Sequence, residues 1–144
     1  GLYWLAEMLE GGEDARFIAR RMIVLASEDI GMADPHALPV AVAAAQAVEH
    51  VGLPEASFNL AQAVVYLATA PKSNDVATAL WAAQADARDR SREVPKHLKG
   101  SDPVLQRQLK RQGKGYVYTH DHPDVDQDFR PPDLEGKRYW KPDA

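Results

Sequence analysis

From Leu2 to Arg92, apolar residues recur about one helical turn apart, with glycine or proline between the runs. Leu2, Leu5 and Leu9 share a face, with Trp4 and Met8 beside it, and predict a short first helix stopped by Gly11-Gly12. A second helix is expected from about Asp14 to Glu28. Phe17, Ile18, Met22 and Leu25 form its apolar stripe, Arg16, Arg20 and Glu28 lie off it, and Glu13 and Asp14 stand favourably near its positive N-terminal end. Gly31 is expected to take the left-handed conformation that ends a helix. Asp34 then caps the next helix and Pro35 fills its first position, where a missing N–H costs nothing. One helix thus ends and another begins within a few residues, and that corner sets the angle between them.

The third helix is expected from Pro35 to Gly52. From Val40 to Val48 every residue but Gln46 is apolar, mostly Ala or Val. A helix apolar nearly all round is either central in its domain or covered by another chain. The fourth follows Leu53-Pro54, carries Phe58, Ala61, Val65 and Ala68 on one face, and closes at Pro71. Ser73 or Asn74 can cap a fifth running to about Arg92, with Val76, Leu80, Ala83 and Ala87 on its buried side. Pro95 breaks the pattern. Asp102-Pro103 opens a short helix to Gln112, stopped by Gly113. Residues 114–144 have little periodicity but carry Tyr116, Tyr118, Phe129, Tyr139 and Trp140, too many rings for a simple disordered tail. They are expected to wrap the helical body with each ring in a groove. The fold class is all-α: one multi-helix domain over 1–144, with a helical body at about 2–112 and an extended aromatic tail at about 113–144.

Composition narrows the function. The 144 residues make one domain large enough for a core, and 45% apolar with 26% charged is ordinary for a globular chain. The net charge of −4 confines any nucleic-acid contact to a local patch. The absence of cysteine excludes disulfides, thiolate metal sites and a cysteine nucleophile, and suits a cytoplasmic setting. No apolar run is long enough to span a bilayer. The chain opens inside a helical pattern without an initiator Met, and is expected to be part of something longer.

Candidate chemistry is sparse. Glu28 and Asp29 sit at the corner, either as a structural ion pair or cap, or as a catalytic acid pair; no His, Lys or Gly-rich loop stands beside them to complete a site. Pro71-Lys72-Ser73 lacks the glycines of a phosphate loop and reads as a helix stop and cap. Lys96, His97, Lys99, Arg107, Lys110, Arg111 and Lys114 form a basic stretch opposed only by Asp102, and Arg107, Lys110 and Arg111 share a helical face close to two tyrosines. Such a stretch either contacts nucleic acid or is a solvated face. His120 and His122, with Asp124 or Asp126, could hold a metal, but alternate residues of an extended segment point opposite ways, and a surface turn fits better. Neither Ser27 nor Ser57 has a nearby His to activate it. The residues alone therefore describe a helical domain without an active site.

Several stretches together resemble one family. They are Leu2-Tyr3-Trp4-Leu5-Ala6-Glu7-Met8-Leu9, Phe17-Ile18-Ala19-Arg20-Arg21 and Ala26-Ser27-Glu28-Asp29-Ile30-Gly31-Met32-Ala33-Asp34-Pro35, then Leu67-Ala68-Thr69-Ala70-Pro71-Lys72-Ser73-Asn74. Gly113-Lys114-Gly115-Tyr116-Val117-Tyr118-Thr119-His120-Asp121 and Gly136-Lys137-Arg138-Tyr139-Trp140-Lys141-Pro142 continue the match. The chain is similar to the C-terminal region of the replication-associated recombination protein A family, AAA+ ATPases akin to clamp loaders and to the Werner-helicase-interacting ATPase. It departs from that pattern at His122, where an aromatic residue is expected, and lacks the beginning of the first helix.

The resemblance implies a helical domain like the clamp-loader collar, which assembles the protein into a homotetramer. The ATPase module, with its ATP and Mg2+, would precede this region; the chain itself carries no cofactor, metal or catalytic residue. The whole protein would act on DNA at stalled or damaged replication forks in the bacterial cytosol, with single-strand-binding protein as a partner and no membrane. Two functions follow. One is an assembly module, with Val40, Ala44 and Val48 on the third helix and Ala79 on the fifth as candidate interface residues. The other is a DNA- or partner-binding module using Lys96 to Tyr118, with Arg107, Lys110, Arg111 and Lys114 as candidate contacts. Against the first stands a monomeric bundle in which the third helix is simply the covered centre.

Overall fold

A computed structural model describes residues 1–95, 98, 120 and 122–142, and glycine, proline and short capping residues cut these described residues into five α-helices. The helices are α1 (Leu2–Glu10), α2 (Ala15–Leu25), α3 (Ala37–His50), α4 (Ala56–Thr69) and α5 (Asp75–Asp89). No strand occurs among the described residues, and the fold is all-α. The chain forms two compact units, Gly1–Ala82 and Ala83–Ala144.

In the first unit, α3 packs against both α2 and α4, and α1 leans on α4. Asp14 caps α2 by accepting the Arg16 N–H at 2.9 Å. The helix then departs from expectation. Its α-helical part stops at Leu25, and Ala26–Ile30 form a π-helical turn closed by the Gly31 N–H on the Ala26 carbonyl. Ala26 and Ile30 both point into the core, and Ile30 is fully buried. Gly31 has the positive φ foreseen for it, 53°, but ψ is −127°, so it is not the ordinary left-handed cap. A three-residue 3-10 turn, Gly31–Ala33, completes the corner. Helix α3 starts at Ala37, two residues after the expected Pro35, because Asp34 closes a turn first: its Oδ1 accepts the His36 N–H at 3.1 Å and its carbonyl the Ala37 N–H at 3.1 Å. Pro39 then sits within the first helical turn, where its lost N–H does little harm.

The buried face differs from the expected one on three helices. On α2 it is Ala15, Ile18, Ala19 and Met22, while Phe17 and Leu25 are exposed. On α4 it is Ala56, Leu60, Ala63 and Leu67; Phe58, Val65 and Ala68 face outward, and Ala61 is half-buried. A helix apolar on most sides has no periodicity that picks out one face. On α5 no residue is buried, and Val76, Leu80 and Ala87 are exposed instead of lining a core.

In the second unit, a 3-10 turn at Pro132–Leu134 interrupts an otherwise irregular segment. Its rings are not all in grooves as expected: Tyr139 is half-buried, whereas Phe129 and Trp140 are exposed.

Candidate assembly surface

The corner is held by backbone and by the Asp34 carboxylate rather than by the side chains of Glu28 and Asp29. The Ser73 N–H donates to the Asp29 carbonyl at 2.9 Å, tying the π-turn to the link before α5. Glu28 and Asp29 are exposed, and their side chains make no ion pair with any described residue. They stand at the mouth of a pocket of about 220 Å³ whose walls include Leu5, Met8, Phe17, Ile18, Met22 and Leu25, with Arg21 also at its edge. Among the described residues, no histidine, serine or lysine lines it.

Lys72 has a role that motif matching missed. Its ammonium donates to the carbonyls of Leu67 at 2.8 Å and Ala68 at 3.4 Å, and to that of Ala70. These are carbonyls at the end of α4, where a cation is favoured by the helix dipole. Ser73 Oγ accepts the Asp75 N–H at 3.3 Å and opens α5, so Pro71-Lys72-Ser73 is the expected stop and cap.

The larger feature is apolar surface left on the outside. Phe58 on α4 is 77% exposed, and Val65 lies nearly two turns along on the same side. On α5, Leu80 and Trp81 are 55% and 53% exposed. On α1, Tyr3 and Trp4 stand outward with their rings edge to face, 5.3 Å between centroids. Single exposed apolar residues are ordinary, whereas rows of them on several helices are candidate surfaces for contact with another chain or module.

Of the candidate interface residues, Ala44 and Val48 are buried with Ala41 inside the chain's own core, and Val40 is half-buried against it. Ala79 is half-buried on α5. Arg107, Lys110, Arg111 and Lys114, and with them Lys96, His97, Lys99, Tyr116 and Tyr118, lie outside the described residues. His120, His122, Asp124 and Asp126 are exposed, and no group of three or more His, Asp or Glu side chains converges among the described residues.

The second unit carries a polar network that the sequence did not reveal. Asp86 on α5 accepts the Tyr139 hydroxyl at 2.7 Å and the Lys137 ammonium, which also lies 5.1 Å from the Tyr139 ring centre. Asp133 accepts Arg92 Nε at 2.8 Å and the Arg90 guanidinium. Asp128 accepts Arg130 Nε at 2.7 Å and the Gly136 N–H at 3.2 Å. Hydrogen bonds from Lys137 and Tyr139 hold the Asp86 carboxyl below its usual range. Those from Arg92 and Arg90 bring Asp133 down to about 2. The network fastens the segment around Asp133–Tyr139 to the end of α5.

The described residues thus form an all-α domain with apolar side chains exposed on α1, α4 and α5. The family described as the MgsA AAA+ ATPase C-terminal region matches residues 1–144, and the chain belongs to it. It is 51% identical over 144 residues to an uncharacterised AAA domain-containing protein of Mycobacterium tuberculosis, covering 98% of this chain and 32% of that protein. It is 43% identical over 145 residues to the replication-associated recombination protein A of Escherichia coli, again 98% and 32%. The ATPase WRNIP1 of Dictyostelium discoideum is 38% identical over 145 residues, covering 96% of this chain and 16% of that protein. The chain thus spans about a third, or less, of these relatives. The resemblance inferred from the motifs is borne out.

Proposed function

We propose that this domain assembles its parent protein into a homotetramer. The observation that carries the reading is α5: none of its side chains is buried, yet it presents Val76, Leu80 and Trp81, with Ala77 and Ala79 between them small enough for another helix to approach closely. A closed symmetric assembly covers such surface. The relatives' names support a parent ATPase that acts in replication and recombination; its use of ATP and Mg2+ in a module outside this chain, its place in the bacterial cytosol and its partnership with single-strand-binding protein are proposed from the family resemblance. Among the described residues no helix is long and apolar enough to cross a membrane. DNA contact through Arg107, Lys110, Arg111 and Lys114 is proposed on sequence grounds alone; replacing the four with Ala in the full-length protein should flatten the salt dependence of binding.

The test is the light-scattering mass of the isolated domain and of Ala79→Glu. A wild-type mass near four chains, with a folded and smaller Ala79→Glu species, supports the reading. A wild-type domain that stays monomeric at high concentration refutes it. Ala44→Glu serves as the contrast: Ala44 faces the chain's own core, so the charge is expected to unfold the domain rather than dissociate it.

A further inference from the structure

Residues 137–141 set an indole between two cations. Lys137 and Tyr139 turn towards α5, where the ammonium and the hydroxyl both reach the Asp86 carboxylate, the hydroxyl at 2.7 Å. The alternate residues, Arg138 and Trp140, are exposed, which is the alternation of an extended run. Trp140 keeps 39% of its surface open, and Lys141 beside it is exposed too. Among the described residues, neither Arg138 nor Lys141 makes an ion pair or a side-chain hydrogen bond. Asp86 does not offset them, because Lys137 already meets its charge. We infer that Arg138, Trp140 and Lys141 form a contact for single-stranded nucleic acid, with a base stacked on the indole and the flanking phosphates on the two cations. This rests on the reading that the parent acts on DNA, and names a contact distinct in sequence from Arg107, Lys110, Arg111 and Lys114.

Three observations point to this ligand. The first is the distribution of charge. Residues 1–82 hold four Lys and Arg against ten Asp and Glu, a net −6, whereas residues 83–144 hold thirteen against eleven, a net +2, and the two give the −4 of the whole chain. A polyanion is therefore repelled by the first unit and attracted by the second. The second is the ring. Two cations alone would also suit an acidic peptide, but an exposed indole between them suits a base, because every base has a π-face with phosphates to either side of it. A duplex keeps its bases stacked on one another, so the indole selects an unpaired strand. The third is rigidity. The bonds to Asp86 fix the chain on both sides of Arg138, and half-buried Tyr139 stands immediately before Trp140. A strip already held in place loses little freedom when a ligand settles on it.

The experiment titrates the 144-residue chain into fluorescein-labelled oligo-dT and follows anisotropy at several salt concentrations, with circular dichroism to follow helix content. Trp140→Ala is expected to weaken binding about 5- to 150-fold, the equivalent of one stacked base. Trp140→Phe keeps a ring and should retain most of the affinity. Arg138→Ala combined with Lys141→Ala should reduce the slope of log K against log salt by about 1.4, about 0.7 for each phosphate contact on a single strand. Both cations are exposed, so this variant should keep the wild-type helicity. Oligo-dT affinity that survives Trp140→Ala, or a salt slope that the double variant leaves unchanged, overturns this contact while leaving the DNA reading in place. A wild-type chain without affinity for oligo-dT overturns both this contact and the one proposed at Arg107, Lys110, Arg111 and Lys114. Polyglutamate that displaces oligo-dT from the wild type, and whose own binding also weakens in Trp140→Ala, would make the strip a surface for acidic polymers in general and overturn the nucleic-acid assignment.

Discussion

The hydroxyl of Tyr66 on α4 donates to Asp34 Oδ2 at 2.7 Å, while the other oxygen of that carboxylate accepts the His36 N–H ahead of α3. One side chain thus closes the turn before one helix and bonds to the next, and Asp34 raises the Tyr66 phenol above its ordinary pKa. Tyr66→Phe should lower the urea midpoint with little change in slope. Asp34→Ala should lower it further, because both bonds go. Equal effects would mean that the turn does not depend on the carboxylate.

Ile30 and Leu60 are the largest fully buried side chains among the described residues. Ile30→Ala and Leu60→Ala should each cost about 2–5 kcal/mol by removing buried area and leaving a cavity. Chemical denaturation measures this, and a cost below that of an ordinary surface substitution would contradict the placement of either residue.

Gly31 and Gly52 separate two effects. Both have positive φ, 53° and 76°. A Cβ at Gly52 would meet nothing within 4 Å, but one at Gly31 would lie 3.3 Å from Val76 Cγ2. Both Gly→Ala changes should destabilise through backbone strain, by about 1–3 kcal/mol. Gly31→Ala should cost more, since Val76 must also move. Thermal melts of the two variants would show the order, and the reverse order would deny the contact.

The second unit should respond to acid. Asp133 titrates at a lower pH folded than unfolded, so its contribution is complete above its unfolded value of about 3.8 and is lost as pH falls towards about 2. Asp86 moves in the same direction. Thermal midpoints measured down to about pH 2 should fall over this window, and Asp133→Asn should make that fall shallower. A variant with the wild-type profile would show that the arginine contacts do not hold the segment.

Lys72→Met should weaken the end of α4 by about 0.3–1 kcal/mol, the value of a cation near helix C-terminal carbonyls. The same substitution placed in the full-length protein should leave ATP binding unchanged. A loss of nucleotide affinity there would give Lys72 a role beyond its cap.

How much of this was legible depended on whether a residue's task was local. The helices between Gly11-Gly12 and Pro71 followed from breakers and caps, and Asp14 and Ser73 each receive the N–H that their position calls for, whereas Asp34 closes a turn ahead of α3 instead of capping it. The π-turn was hidden, because Ala26 and Ile30 lie four apart as in an α-helix and nothing in their identities shows the extra residue in the ring. The inward face of α4 was unreadable for another reason. Phe58 is larger and more apolar than Ala56 or Ala63, yet the alanines are buried because close helix contact selects for small size. The pairing of Asp86 with Lys137 and Tyr139 joins residues far apart in sequence, and periodicity carries no information about such contacts.

Among the described residues, eight of the fifteen that are buried are alanine. Alanine loses no rotamer freedom on burial and has little side chain to truncate, so substitution to glycine leaves only a small void. Enlargement is different: a single added methyl at Ala37, Ala41 or Ala56, all wholly buried, has no free volume to enter. The interior of this domain is therefore asymmetric towards change: losing atoms costs a small void and about 1 kcal/mol wherever the new glycine stands inside a helix, whereas gaining them forces packed neighbours apart.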